Sequence, residues 1–293
     1  MKVVLFSGGQ GTRLRGESVV GGPLRRDSDI PKPLQTIGGH PLLWHLMRWY
    51  AHFGHTDFVI CTGFGAELVR AWVLGLAGLL AAGTDAAGTL TALLGGDDDP
   101  WHISVVDTGV AASVGERLLA VRRHLDDEPW FLANYADTFT DVRLPEVIAT
   151  AQRADALVTL LAVPPPSTMH AVHFGADHLV RAVRPLRDEG ARVNGGYFVM
   201  QPGVFDHLRP GEDLVEAPFA RLAAAGRLLA HPYDGFWLPL DTMKDRLQME
   251  ALWHSGERPW AVWERPRGEP ALPAVLISEQ HARAVEGLGV PTG

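Results

Sequence analysis

The chain has 293 residues, 46% apolar and 20% charged, the composition of a folded protein with a sizeable core and one or two domains. Its 34 acidic and 26 basic side chains leave a net charge of −8, which argues against nucleic-acid or anionic-membrane binding but not against a small phosphorylated ligand. A single cysteine, Cys61, excludes an intrachain disulfide framework and a cysteine-cluster metal site.

Short apolar, β-branched runs alternate with longer helical stretches, the pattern of an α/β fold. The first predicted strand, residues 3–7, turns at once into glycine. It is too short for the apolar core of a secretory signal, so a cytoplasmic location is expected. The run that follows, Phe6-Ser-Gly-Gly-Gln-Gly-Thr-Arg-Leu14, carries the strongest chemical signal. Glycines at 8, 9 and 11 let backbone N–H groups form a nest for phosphate oxygens. Ser7 begins this turn, Thr12 adds a hydroxyl, and Arg13 adds a charged fork suited to phosphate. The loop matches neither the Walker pattern nor the dinucleotide fingerprint, which also argues against a dehydrogenase. Next comes Pro31-Lys-Pro33, whose prolines are expected to hold Lys32 on an extended, non-helical segment from which an ammonium can meet a phosphate. Only three of the 26 basic side chains are lysine, which makes this one the more telling.

A helix is predicted over 41–53, a strand over Asp57–Thr62 with Cys61 as a small core residue, and a helix over 66–76. Residues 71–84 are uncharged but glycine-rich and shorter than the roughly 20 apolar residues of a membrane span. The Gly/Ala/Asp-rich stretch 78–99 reads as an excursion from the sheet layer. Further on, strands are predicted at 103–107, 130–134, 157–163 and 196–200, with helices at 114–125, Leu144–Arg153 and 242–255. Asp137 follows the strand at 130–134, and Asp241 opens the last helix, where it could equally be an N-cap. Strand ends of open α/β sheets collect ligands, and two carboxylates with phosphate oxygens suit Mg²⁺. Asp107 is a further strand-end carboxylate. The segment Val193-Asn-Gly-Gly-Tyr-Phe-Val199 leaves room for a ligand ring, with Asn194 able to hydrogen-bond hydroxyls. Trp237 could cover a sugar face or fill the core. The 13 histidines show no helical metal pair and read as surface or loop residues, and no convincing nucleophile is present. One domain spans 1–264, and 265–293 form a Pro/Gly-rich tail.

Taken together these motifs resemble the sugar-1-phosphate nucleotidyltransferases, and among them the glucose-1-phosphate cytidylyltransferases. The resemblance extends over 1–264 and includes Gly8-Gly-Gln-Gly-Thr-Arg-Leu14, Pro31-Lys-Pro33, Ile37-Gly-Gly-His-Pro-Leu-Leu-Trp-His45, Asn194-Gly-Gly-Tyr-Phe198 and Phe236-Trp-Leu-Pro-Leu-Asp-Thr242. It implies a three-layer α/β/α, Rossmann-like fold with a mixed, mostly parallel central sheet, Mg²⁺ dependence and a homo-oligomer. It also implies attack of a sugar-1-phosphate on the α-phosphorus of an NTP, CTP in the cytidylyl subgroup, with pyrophosphate leaving. On this resemblance Arg13 would hold the β/γ-phosphates, Lys32 the α-phosphate, and Asp137 and Asp241 the metal. Asn194 and Gly195 would bind the sugar, and Arg117 would lie near the base. The chain departs from the family where Gly-Asp-Gly becomes Ala136-Asp137-Thr138, where Arg184 of Val183-Arg-Pro185 stands in place of a lysine, and in a longer 15–30 segment carrying Arg15, Arg25 and Arg26. These departures fit either an active enzyme for an unusual sugar or a weakened homologue that serves as a nucleotide-sugar-binding or partner subunit.

Overall fold

The computed structural model describes residues 1–9, 30–95, 100–166 and 169–265. In chain order it begins with β1 (Val3–Phe6), β2 (Thr36–Ile37), β3 (His40–Pro41), α1 (Leu42–His52), β4 (Asp57–Thr62) and α2 (Ala66–Leu74). There follow β5 (Leu79–Thr84), β6 (Leu90–Leu94), β7 (Trp101–Asp107), α3 (Val114–Ala120), β8 (Phe131–Asn134), β9 (Thr138–Thr140) and α4 (Leu144–Arg153). The last elements are β10 (Val158–Val163), β11 (His170–Phe174), β12 (Val180–Pro185), β13 (Val193–Met200), α5 (Ala217–Ala224), β14 (Leu228–Pro232), β15 (Trp237–Pro239) and α6 (Met243–Ser255).

Among the described residues, nine strands form one sheet in the order β14-β10-β13-β8-β1-β4-β7-β6-β5. The centre is parallel, with β1 between β4 and β8 and β7 beyond β4; antiparallel partners close it on both sides. Side chains on a strand alternate between faces, and β1 shows two buried faces. Val3 and Leu5 pack in a cluster with residues of α1, α2, α4 and α6, while Val4 and Phe6 pack in another with residues of α3 and α5. A sheet covered on both faces is the three-layer α/β/α architecture. Cys61 lies in the second cluster, fully buried, and burial pushes its thiol up to about 12.

The stretch 78–99 differs from its expectation. Its described part is no excursion: β5 and β6 form an antiparallel hairpin that extends the sheet beyond β7. Asp85 makes the turn, its Oδ1 accepting from the N–H groups of Ala87 and Thr89. β6 buries Leu90, Ala92 and Leu94 on one face, but β5 is largely exposed and alanine-rich, so its sequence carries no strand signal. The tail from 266 onward lies outside the described residues. Among those described, no helix is long and apolar enough to cross a membrane.

Candidate active site

Three groups of predicted residues gather at the ends of the central strands. The first is Ser7, Gly8 and Gly9, where β1 leaves the sheet. Ser7 is buried, and its N–H still bonds the Cys61 carbonyl at 2.8 Å, so the loop starts from a fixed point. Arg117, on α3, reaches under it and is only 4% exposed. Its Nη2 donates to the Gly8 carbonyl at 3.0 Å, and its Nη1 donates to the Thr62 and Gly109 carbonyls at 3.0 Å and to Thr108 Oγ1 at 2.6 Å. A Cβ on Gly8 would fall 1.9 Å from Arg117 Nη1, so glycine here makes room for the guanidinium. Arg117 therefore lies beside the glycine loop as expected, but its two terminal nitrogens are taken up by the ends of β1, β4 and β7. Gly11, Thr12, Arg13, Arg15, Arg25 and Arg26 lie outside the described residues.

The second group is Lys32, Asp137 and Asp241. Lys32 does not sit on an extended segment: it opens a 3-10 turn, Lys32–Leu34, closed by Leu34 N–H to the Pro31 carbonyl and Gln35 N–H to the Lys32 carbonyl. Pro33 fits inside because this short turn asks no hydrogen bond of that residue's nitrogen. Lys32 Nζ donates to Asp137 Oδ2 at 2.7 Å and to Asp241 Oδ1 at 2.8 Å, joining residues 105 and 209 positions away. Burial works against the charged ammonium, but the Asp137 carboxylate, with Asp241, more than offsets it and holds the lysine above its ordinary pKa.

The two aspartates meet because β9 pairs antiparallel with β15, Thr138 opposite Pro239. The residue before Thr138 and the residues after Pro239 then leave the ladder at the same end, and Leu240 N–H closes onto the Asp137 carbonyl at 2.8 Å. The backbone that aims Asp137 is unusual. Ala136 has φ 61°, in the left-handed region, and its N–H is captured by Asn134 Oδ1 at 2.7 Å. Asp241 is not the N-cap of the last helix. Thr242 is, in a reciprocal capping box with Asp245, so the Asp241 carboxylate is left free to face Lys32.

The third group is Asn194, Gly195 and Trp237. Trp237 Nε1 donates to the Gly195 carbonyl at 2.9 Å, and Asn194 Nδ2 donates to Tyr135 Oη at 3.0 Å. Gly196 has φ 77°, and a Cβ there would press on the Tyr135 ring at 2.8 Å. The half-buried Trp237 is thus fixed by its indole N–H as a wall beside the glycine pair. Tyr135 belongs to this group and was not singled out by sequence, although it lies in the same run as Asp137. Two further candidates join none of the three groups by a hydrogen bond among the described residues: Arg184 is exposed on the β11–β12 hairpin, opposite Ala171, and Asp107 ends β7, its Oδ1 accepting from the Gly109 N–H. The histidine expectation also fails at one position: His45, on α1, is fully buried.

The donors present fit a hard cation held jointly with phosphate. Asp137 and Asp241 offer oxygen only, and they already converge on one positive charge, that of Lys32. Among the described residues no cluster of three or more His, Cys, Asp or Glu could hold a metal alone. Two carboxylates completed by phosphate oxygens and water are what Mg²⁺ prefers.

No family model matches the chain. The glucose-1-phosphate cytidylyltransferases of Salmonella typhimurium and Salmonella typhi are each 32% identical to it over 266 residues, spanning 90% of this chain and 100% of theirs. The crystal structure of HddC from Yersinia pseudotuberculosis superposes with a TM-score of 0.59 at 15% identity, covering 86% of this chain and 99% of that one, and so shares its fold. An identity of 32% over the full length of the Salmonella enzymes shows that the chain belongs to the glucose-1-phosphate cytidylyltransferase family of sugar-1-phosphate nucleotidyltransferases.

Proposed function

We propose that the chain transfers a cytidylyl group from CTP to a hexose-1-phosphate, giving a CDP-sugar and pyrophosphate. The observation that carries this reading is the convergence of Lys32 with Asp137 and Asp241, in a chain of this family. A sugar-phosphate oxygen forms a bond to the α-phosphorus of CTP as the bond from that phosphorus to the pyrophosphate oxygen breaks. Such a displacement asks for positioning and charge neutralisation rather than a covalent protein intermediate.

The glycine turn at 8–9, clamped by Arg117, offers backbone N–H groups to the triphosphate, and Arg13, which follows it in sequence, supplies a charge for the β/γ-phosphates. Lys32 supplies a point charge to the α-phosphate. Asn194 and Gly195 hold sugar hydroxyls, and Trp237 closes one side of the sugar. Asp137 and Asp241 would hold Mg²⁺, which supplies neutralisation of phosphate charge. An exposed arginine at 184 is available to the sugar phosphate. We further assign a cytoplasmic location, where nucleoside triphosphates are made, and a homo-oligomer. The assembly reading is supported by the β11–β12 hairpin, which exposes Val172, Phe174, Val180 and Val183 in a two-stranded unit that needs cover to be stable.

Incubating the protein with each NTP and dTTP against a panel of sugar-1-phosphates, with Mg²⁺, tests the reaction. Pyrophosphate is expected with CTP and a hexose-1-phosphate, and EDTA should abolish it. Absence of pyrophosphate in every combination would overturn the proposal.

A further inference from the structure

The two carboxylates assigned to the metal already hold a cation that belongs to the chain. Lys32 Nζ lies within 2.8 Å of both, and its side chain is only 13% exposed. Its backbone is fixed by a closed 3-10 turn flanked by the buried prolines 31 and 33, so only the aliphatic stem of Lys32 is free to move. A divalent ion on the same oxygens would sit at about 2.0–2.1 Å from each. The ammonium already lies between those oxygens, and two like charges at such spacing repel strongly. The lysine and the metal therefore compete for one place. The lysine competes as an intramolecular partner, present at high effective concentration whatever the solution holds. A phosphate oxygen is the other partner suited to a compact ammonium, and the flexible stem allows the exchange.

From this geometry we infer that Lys32 latches the Asp137–Asp241 pair against free divalent cation, and that the nucleotide opens the latch by drawing the ammonium onto its phosphates, so metal enters with nucleotide rather than before it. The inference rests on the metal-assisted reading above. Lys32 thereby acts twice, first as a guard on the carboxylates and then as a charge on the transferred group. A site so guarded would not fill with adventitious metal between turnovers.

Mn²⁺ binding to the full chain, followed by the electron paramagnetic resonance signal of the free ion, tests it. Without nucleotide, Lys32→Met is expected to bind Mn²⁺ at least about tenfold more tightly than the native protein, the scale of one close charge pair. Should Lys32→Met fail to fold, Lys32→Gln, which offers a neutral hydrogen bond to either carboxylate, is expected to shift affinity in the same direction. Thermal melting gives an independent reading: Mn²⁺ alone should raise the Tm of the variant more than that of the native chain. Equal affinity in native and variant proteins would overturn the latch and leave the metal site standing. Failure of Mn²⁺ to bind in every one of these states, the native protein alone, both variants, and the native protein with a non-hydrolysable CTP analogue, would overturn the metal site, and the latch with it. Asp137→Asn should lose the ion in either state, and retention there would also overturn the assignment.

Discussion

Arg117 shows how one side chain can fix a glycine turn through backbone carbonyls. Its two terminal nitrogens gather carbonyls from residues 8, 62, 109 and 110 and the Thr108 hydroxyl, all at the ends of three parallel strands. A planar fork can do this and a single ammonium cannot, because the acceptors lie in several directions. Arg117→Lys should therefore destabilise the protein by about 2–3 kcal/mol, the scale of buried carbonyls losing a charged donor. It should also weaken CTP binding by loosening the Gly8 turn. Urea unfolding and calorimetric titration with CTP check the two effects, and an unchanged midpoint would remove Arg117 from this clamp. The individual candidate residues were legible where each stood in its own short signal: glycines after a strand, a lysine between prolines, aspartates at the ends of apolar runs. What the sequence could not show was how their donors and acceptors are allotted. Arg117 is adjacent in sequence to none of the carbonyls it holds, and Lys32 finds carboxylates rather than a phosphate as its partners within the chain.

At the scale of elements, the site depends on a two-stranded ladder only three residues long on each side, β9 with β15. So short a ladder needs anchoring, and Asp141 supplies it. Its Oδ1 accepts from Tyr233 Oη and, at 2.9 Å, from the Phe236 N–H, just before the strand that carries Trp237 and leads to Asp241. Burial pushes the Asp141 carboxyl up, and its Oδ2 has no hydrogen-bond partner among the described residues. Asp141→Ala should cost about 2–3 kcal/mol, since it strands two buried donors. It should lower kcat/KM as well, by freeing β15. Asp141→Asn keeps an oxygen for both donors and removes the cost of burying a charged group, so it should fall within about 1 kcal/mol of native. Denaturant midpoints and pyrophosphate release measured side by side would show this ordering, and equal losses in the two variants would contradict it. Strands such as β1, β4, β8 and β10 were readable because burial on both faces makes them continuous apolar runs. The edge strand β5, the exposed β11–β12 hairpin and the three-residue β9 and β15 lack such runs. Local hairpin pairing makes strands of β5, β11 and β12, whereas β9 and β15 pair across the chain and are held by a tyrosine 92 residues from Asp141.

The whole molecule is tied together on one side by aromatic packing around His45, which joins α1, α6 and the segment after α6. Trp44, Trp253, Trp260 and Phe139 surround the imidazole, with ring centroids 5.1 to 6.2 Å away. Its Nε2 lies 3.0 Å from the Ile37 carbonyl, and Trp260 Nε1 donates to Nδ1 at 3.4 Å. A carbonyl can only accept and an indole N–H can only donate, so these partners fix the neutral tautomer with its proton on Nε2. A second proton on Nδ1 would point at the indole N–H, and burial lowers the His45 pKa from 6.5 to about 4. The consequence for stability follows from proton counting. Between pH 6.5 and 4 the unfolded chain binds a proton that the native chain refuses, so stability rises with pH across this window and is lost as pH falls through it. The full effect is on the order of 3 kcal/mol. For a chain of this size that is roughly 6–12 °C in Tm. His45→Phe leaves the Ile37 carbonyl without its donor and should melt lower than native at pH 7.5, yet it has nothing to titrate here. The gap in Tm between native and variant should therefore narrow as pH is lowered from 7.5 to 4.5. A gap constant over that range would mean that His45 carries its proton inside the fold, and that the aromatic junction between α1 and α6 tolerates a charge.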